Sequence, residues 1–154
     1  LGIGASGQTA RRAAERFMSL GLPAFAATDP YEQVFTTAGA RRGEVVVGIS
    51  HTGLTVLVLD ALRTARSRGA RTVCITNYPD SPIAEASEFR LITSFREHRI
   101  NAAVSSSHLA QLCVIDALYF LAAGASGRGA RRLADAAEDR VQRLLRAKNR
   151  FSSA

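Results

Sequence analysis

The chain has 154 residues, the length of one ordinary domain, and 47% of them are hydrophobic, a share typical of soluble globular proteins. Cys74 and Cys113 lie far apart in apolar segments, without the spacing of a metal site, so we expect two buried, reduced thiols and no metal. The net charge of +7 is concentrated at the carboxyl end, where residues 131–154 hold seven basic side chains against three acids.

The apolar segments predict a cytoplasmic protein. The most hydrophobic segment, Leu109–Ala125, contains Gln111 and Asp116 and is shorter than the roughly 20 residues that span a bilayer. The first residues do not have the pattern of a basic-then-apolar leader. Arginines are scattered over predicted helix surfaces, which indicates a solvated face or a surface that lies along DNA. No aromatic-interleaved motif for direct base reading accompanies them.

Strand-like and helix-like segments alternate along the first half of the chain, which predicts a parallel sheet with helices on both faces. The chain opens on LGIG, which has the pattern of the end of a strand, so we expect an N-terminally truncated domain. The segment EVVVGI is apolar throughout, as in a strand buried on both faces. The predicted elements are strand Leu1–Gly4, helix Ser6–Leu20, strand Pro23–Ala27, helix Tyr31–Ala38 and strand Glu44–Ile49.

The same alternation continues and then gives way to helices. Gly69 is placed to end one helix, and Ser81-Pro82 has the pattern of a cap followed by the first helical residue. The predicted elements are helix Thr55–Arg68, strand Arg71–Thr76, a short helix to Ala86, strand Glu88–Thr93, a loop at 95–103, a helix from the serines at 105–107 to near Ala123, a flexible break at 124–129 and helix Ala130–Phe151.

The predicted elements divide the chain into a domain of residues 1–125 and a C-terminal helical segment, 126–154. The apolar positions of the final helix, Leu133, Ala137, Val141, Leu144 and Leu145, form one stripe. Such a helix packs on its own domain or on a partner subunit.

A glycine-rich loop, residues 4–7, follows the first predicted strand and leads into a helix. The exposed N–H groups and the dipole of a helix N-terminus favour an anion such as a phosphate ester. Residues 2–7 also match G-x-G-x-x-G, and Asp29 lies where a dinucleotide fold places its ribose-binding acid. Asp29-Pro30 has the pattern of an ordinary helix start as well, so both interpretations stay open.

A second loop, residues 50–55, carries three hydroxyls and a glycine directly after a buried strand. Ser50, Thr52 and Thr55 could donate to phosphate oxygens, and Gly53 lets the backbone approach a ligand. Helix capping would explain one hydroxyl of the three. The carboxyl ends of parallel strands share one edge of a sheet, so we expect both loops to face one ligand crevice.

The remaining candidates are less specific. The serines at 105–107 open a helix and could close the pocket or cap that helix, and Glu97-His98 resembles an acid–base pair. His51 lies inside the second loop and is the better candidate for ligand contact. The full set of predicted ligand-binding residues is Gly4, Ala5, Ser6, Gly7, Ser50, His51, Thr52, Gly53, Thr55, Ser106 and Ser107, with no catalytic residue and no cofactor.

The segments GIGASG, GEVVVGISHTGLT, GARTVCITNYPDSPIAEASE and SSSHLAQLCVIDALYFL together resemble the SIS (sugar isomerase) domain family, most closely the effector domain of RpiR-type bacterial transcription regulators. The resemblance implies an α/β/α sandwich with a five-stranded parallel sheet that binds a phosphorylated sugar. It places the ligand-contacting serines of the family at Ser6 and Ser50, and the other phosphate-loop hydroxyls at Thr52 and Thr55. His51 and His108 depart from the residues typical of the family.

The resemblance also implies partners. Relatives of this type carry an N-terminal helix-turn-helix domain that binds DNA, and they assemble as homodimers or homotetramers. The resulting hypothesis is a sugar-phosphate sensor of a transcription regulator that acts without catalysis. The alternatives are a phosphosugar aldose–ketose isomerase, with Glu97, His98 or His51 as its base, and an NAD-binding fragment that rests on G-x-G-x-x-G and Asp29.

Overall fold

The computed structural model describes residues 1–94, 106–125 and 127–151. Within them, helices and strands occur close to the positions that the sequence predicts. In chain order they are α1 (Ala5–Ser19), α2 (Pro30–Ala38), β1 (Val45–Ile49), α3 (Val56–Ser67), β2 (Arg71–Thr76), α4 (Pro82–Ala86), β3 (Phe89–Ile92), α5 (Ser106–Ala125) and α6 (Gly127–Phe151).

The three strands form a parallel sheet in the order β1-β2-β3. Val45 pairs with Arg71 and Ile49 with Ile75, and β3 continues the register with Phe89 beside Val73. Since the strands are parallel, all three carboxyl ends lie at the same edge of the sheet. The loop after β1 therefore stands at an edge that a ligand can reach.

The expectation of five strands is wrong for the described residues, which contain three. The segments Leu1–Gly4 and Pro23–Ala27, expected as strands, are not strands in the structure. Their backbones nevertheless lie beside the sheet: Ile49 N–H donates to Leu1 O at 2.9 Å, and Gly2 N–H donates to Ala27 O at 3.3 Å. These isolated hydrogen bonds are too few for a continuous ladder, which is why the two segments stay irregular.

Apolar side chains on the two faces of the sheet pack against different helices. On one face Val46 and Cys74 join a buried cluster with Leu62 of α3 and Ile83 of α4. On the other face Ile49 and Ile75 form a buried cluster with Ala10 of α1 and Ile115 of α5. The alternation of side chains along each strand produces this division, and it gives three layers.

The two cysteines differ in burial, against the expectation that both are buried. Cys74 lies inside the sheet and is buried, whereas Cys113 is exposed on α5; both are free thiols. An apolar segment does not reveal which face of its helix meets the core, and Cys113 lies on the outer face.

The break expected at residues 124–129 is largely helical, because α5 extends to Ala125 and α6 begins at Gly127. The segment Ser107–Ala125 is also long and apolar enough to cross a membrane by length and composition, contrary to the sequence-based expectation. One side of this helix packs on α1, where Gln111 is 1% exposed and Asp116 forms a 3.0 Å ion pair with Arg16, while Phe120 and Leu121 on the other side are exposed.

Candidate functional site

The loop after β1 is held by hydrogen bonds among its own residues. Ser50 Oγ accepts a hydrogen bond from Gly53 N–H at 3.1 Å and lies 2.8 Å from Thr55 Oγ1. Ser50 is 3% exposed, while Thr55 is half-buried. The two hydroxyls therefore form one unit, with Ser50 at its base and Thr55 at its outer side.

This hydroxyl pair keeps one proton available. Each hydroxyl carries a single proton, and only one of the two protons lies between Ser50 and Thr55. If Thr55 donates to Ser50, the Ser50 proton is left; if Ser50 donates to Thr55, the Thr55 proton is left. In either case the pair can donate one hydrogen bond to an oxyanion.

Gly53 is required by geometry as well as by backbone conformation. Its φ of +68° lies in the left-handed region that side chains with a Cβ adopt at a cost. A Cβ built on Gly53 would also clash with the Ser81 side chain. The loop consequently packs tightly on the start of α4, which fixes the position of the Ser50 and Thr55 hydroxyls.

The helix that follows the loop has a first turn that no side chain caps. Thr55 occupies the N-cap position of α3, but its hydroxyl makes no capping bond. Thr52 Oγ1 instead accepts from Leu54 N–H at 3.3 Å, and Thr52 is exposed. The capping interpretation is therefore wrong for Thr55, and the first-turn N–H groups of α3 keep their capacity to bind an anion.

His51 joins the loop to the end of β2. Its carbonyl oxygen accepts from Asn77 N–H at 3.0 Å and from Thr76 Oγ1 at 3.1 Å. The His51 ring meets the Tyr78 ring edge-on, with centroids 5.9 Å apart. These contacts anchor the loop backbone to the neighbouring strand and set the ring at the side of the loop.

The first loop shows a similar helix start without a cap. Helix α1 follows Gly4, and no side chain caps it. The turn packs closely, because a Cβ on Gly2 would lie 2.5 Å from the carbonyl oxygen of Ser6. Gly4 and Ala5 are exposed, and Ser6 is half-buried with its hydroxyl 3.2 Å from Gln111 Nε2.

The two loops lie at the same edge of the fold. Leu1 is hydrogen-bonded to Ile49 at the end of β1, so the chain that leads into α1 runs beside the strand that leads into the second loop. Gly7 is buried at the base of α1. The structure thus brings Ser6, in the first turn of α1, and Ser50, at the start of the loop that leads into α3, to neighbouring segments.

Of the three serines at 105–107, the structure describes the last two. Ser106 begins α5, and Ser107 is 2% exposed. Ser105 and the predicted acid–base pair Glu97-His98 lie outside the described residues.

Asp29 acts as a helix cap, as the alternative interpretation of Asp29-Pro30 predicts. Its Oδ1 accepts from Glu32 N–H at 3.0 Å, and Pro30 is the first residue of α2. The carboxylate that the dinucleotide interpretation assigns to a ribose is thus already used at the start of α2.

Two residues of this region were not predicted from the sequence as part of the site. Thr9 and Gln111 are buried at 0% and 1% exposure and lie next to Ser6 in a polar network. Thr9 lies one helical turn after Ser6, a spacing that places both on one face of α1. Nothing local relates Ser6 to Gln111, which follows it by 105 positions.

Other features of the described residues do not compete with this site. Among them no group of three His, Cys, Asp or Glu side chains could hold a metal ion. Two surface pockets lie elsewhere, one beside Arg63 and Arg66 and one beside Phe25 and Tyr31.

A family model described as the SIS domain matches residues 1–127. The chain belongs to the SIS domain family.

Curated relatives point to transcription regulators. The chain is 36% identical over 122 residues to an uncharacterized HTH-type transcriptional regulator of Caldanaerobacter subterraneus. The aligned region covers 79% of this chain and 43% of that protein. The chain is 26% identical over 118 residues to the HTH-type transcriptional regulator RpiR of Escherichia coli K12, covering 77% of this chain and 40% of RpiR. The chain therefore spans less than half the length of these relatives.

Solved structures share the fold. The Vibrio vulnificus NanR protein complexed with ManNAc-6P matches with a TM-score of 0.81 and 23% identity, over 93% of this chain and 55% of NanR. Escherichia coli CFT073 c3406 in complex with A5P matches with a TM-score of 0.71 and 27% identity, over 80% of this chain and 66% of c3406.

Proposed function

We propose that this chain is the effector-binding domain of a bacterial transcription regulator, and that it binds the phosphate group of a phosphorylated sugar. One observation carries the proposal: two helices without side-chain caps, α1 and α3, begin in hydroxyl-bearing turns at the same edge of the sheet. Two helix N-termini and their hydroxyls supply several donors to one oxyanion. The relatives named HTH-type transcriptional regulators support the regulatory role.

The phosphate site would consist of Ser6, the Ser50–Thr55 hydroxyl pair and the first-turn N–H groups of α3. The oxygens of a phosphate dianion accept hydrogen bonds and do not donate them, so each of these groups would donate a hydrogen bond to the phosphate. Exposed Thr52 would close the outer side, and His51 and Ser107 would face the sugar. NanR and c3406, whose structures hold ManNAc-6P and A5P, support this class of ligand.

Regulation would follow from a shift between arrangements of subunits, without chemical conversion of the sugar. A ligand that binds one arrangement better by about 1–3 kcal/mol changes a coupled affinity about 5- to 150-fold. DNA would be reached through a helix-turn-helix domain that lies outside this chain, in a cytoplasmic protein. The coverage of RpiR, 40% of its length, leaves room for such a domain.

A second copy of the chain would cover the exposed apolar faces of α5 and α6. Phe120 and Leu121 are 68% and 72% exposed on α5, and Leu144 is 62% exposed on α6. Such a face is typical of an interface between subunits. The acids of α6, Asp135, Glu138 and Asp139, lie between arginines at 128, 131 and 132 and arginines at 140, 143 and 146.

The proposed interface pairs α6 with α6 of the second copy in antiparallel orientation. Centred on Val141, such pairing sets Asp139 of one helix beside Arg143 of the other. Light scattering after gel filtration tests it: the wild-type chain is expected as a dimer or tetramer, and Leu144→Asp as a monomer. A monomeric wild-type chain would contradict the assembly.

Isothermal titration calorimetry with a panel of hexose and pentose phosphates, including ManNAc-6P and A5P, tests the proposed ligand class. We expect at least one member to bind, and the same sugar without phosphate to bind far more weakly. Folded protein that binds no member of the panel would refute the proposal.

The same mixtures distinguish a sensor from an isomerase. Proton NMR of the bound sugar phosphate over hours is expected to show one unchanged sugar. Conversion between an aldose and a ketose phosphate would overturn the non-catalytic part of the proposal, and variants of Glu97 and His98 would then identify the base.

A further inference from the structure

A buried polar network connects the first loop to α5. Thr9 Oγ1 lies 3.1 Å from Gln111 Oε1 and 2.7 Å from His108 Nδ1, and Gln111 Nε2 lies 3.2 Å from Ser6 Oγ. Thr9 and Gln111 are 0% and 1% exposed, so water does not replace these contacts. Buried polar groups of this kind need a defined partner for each donor and acceptor.

The direction of the network depends on the single proton of Thr9 and on the tautomer of His108. The possible acceptors of the Thr9 proton are Gln111 Oε1 at 3.1 Å, the Ala5 carbonyl oxygen at 3.4 Å and an unprotonated His108 Nδ1 at 2.7 Å. If His108 carries its proton on Nδ1, it donates to Thr9, and Thr9 donates to Gln111. Every buried polar atom of the three side chains in this contact then has a complementary partner.

As a consequence, the Ser6 hydroxyl keeps its O–H available as a hydrogen-bond donor. The amide of Gln111, with its oxygen satisfied by Thr9, presents Nε2–H to Ser6 Oγ. Ser6 therefore accepts from the interior, and its own O–H is left to donate away from the core. With the amide turned over, Ser6 would donate inward and would present only lone pairs to a ligand.

We infer that Thr9 and Gln111 are positioning residues that hold the Ser6 hydroxyl as a hydrogen-bond donor toward an oxyanion at the first loop. The inference rests on the proposed function, since the oxyanion is the phosphate of the sugar phosphate. The oxygens of a phosphate dianion only accept, so a Ser6 donor suits phosphate and does not suit a group that can only donate, such as an ammonium. Neither Thr9 nor Gln111 touches the ligand in this arrangement.

A set of variants at Thr9 tests the inference by calorimetry with the sugar phosphate of highest affinity in the panel. Thr9→Val keeps the shape of the side chain and removes the hydroxyl, and it is expected to weaken binding about tenfold. Thr9→Ser restores the hydroxyl and is expected to restore the affinity. Thr37→Val is the matched control, because Thr37 is a buried threonine of α2 whose hydroxyl donates to Gln33 O.

The decisive comparison is made in a second background. If Thr9 acts through Ser6, Thr9→Val has no further effect on affinity in a chain that already carries Ser6→Ala. Should Thr9→Val fail to fold, Gln111→Met removes the same connection at similar side-chain volume and is compared in the same two backgrounds.

Equal losses from Thr9→Val in both backgrounds, or no loss in either, would overturn the inference while the proposed function stands. A wild-type chain that binds no sugar phosphate would overturn both. Weakening by Thr37→Val to the same degree would show that the effect is one of general stability.

Discussion

The two loops proposed to bind the ligand are built from similar residues but are stabilised in different ways. In the second loop the hydroxyls of Ser50 and Thr55 bond to each other, five positions apart in sequence. In the first loop Ser6 depends on Gln111, which lies 105 positions away on another helix. The hydroxyls of the second loop are thus paired within its own sequence, although its backbone rests on β2 and α4, whereas the Ser6 hydroxyl finds its partner only on a distant helix.

The difference has a consequence for binding. A loop that holds its donors in place before the ligand arrives loses little conformational entropy on binding. We therefore expect the second loop to contribute most of the affinity for phosphate, and the first loop to contribute selectivity for an acceptor-only group.

The largest effect is expected from Gly53→Ala. The left-handed backbone costs a residue with a Cβ about 1–2 kcal/mol, and the contact with Ser81 adds to it. We expect a lower melting temperature and loss of measurable binding, by scanning calorimetry and titration. Gly124→Ala is the control, because a Cβ there meets nothing within 4 Å. Normal binding by Gly53→Ala would contradict the account of the second loop.

Ser50→Ala should have the next largest effect. It removes an acceptor for Gly53 N–H together with a donor of the hydroxyl pair. A hydrogen bond to a charged group contributes about 1.5–3 kcal/mol, so affinity should fall about 10- to 150-fold. Titration of a folded variant with unchanged affinity would place the phosphate away from this loop.

Ser6→Ala removes one proposed hydrogen-bond donor to the phosphate and leaves the backbone hydrogen bonds of the first loop in place. The loss of affinity should therefore be smaller than that of Ser50→Ala, measured by the same titration. The melting temperature should fall, because the variant leaves the buried Gln111 Nε2 without its Ser6 acceptor. A larger loss for Ser6→Ala would reverse the order that we assign to the two loops.

The smallest effect concerns the core beneath the second loop. Burial raises the pKa of the Cys74 thiol. In the unfolded chain this thiol loses its proton near its ordinary pKa of about 8.5, so the stability that the buried thiol contributes is present below that pH and falls as the pH rises above it. Urea unfolding at pH 7 and pH 9.5 should show a smaller alkaline loss in Cys74→Ala than in the wild type. Equal losses would contradict a role for this thiol.

The sequence predicted the parts of the structure that depend on local pattern. The apolar segment before Ser50 is a buried strand, Gly69 follows the end of α3, and Ser81-Pro82 starts α4. The hydroxyl-rich turn was also recognisable, because its spacing is unusual for a simple cap.

The remaining errors come from interactions between distant segments. Whether Leu1–Gly4 and Pro23–Ala27 form strands depends on ladder partners that a local pattern does not show. The exposure of Cys113 depends on which face of α5 meets α1. The partner of Ser6 could not be predicted for the same reason, since Gln111 reaches it only through the packing of α5 on α1.

The most direct test of the central claim is a crystal structure of the chain with the sugar phosphate of highest affinity in the panel. We predict that the phosphate lies between the two loops, with its oxygens within hydrogen-bond distance of Ser6 Oγ, of the Ser50–Thr55 pair and of the first-turn N–H groups of α3. A phosphate bound elsewhere, with Ser6 and Thr55 both out of contact, would contradict the account.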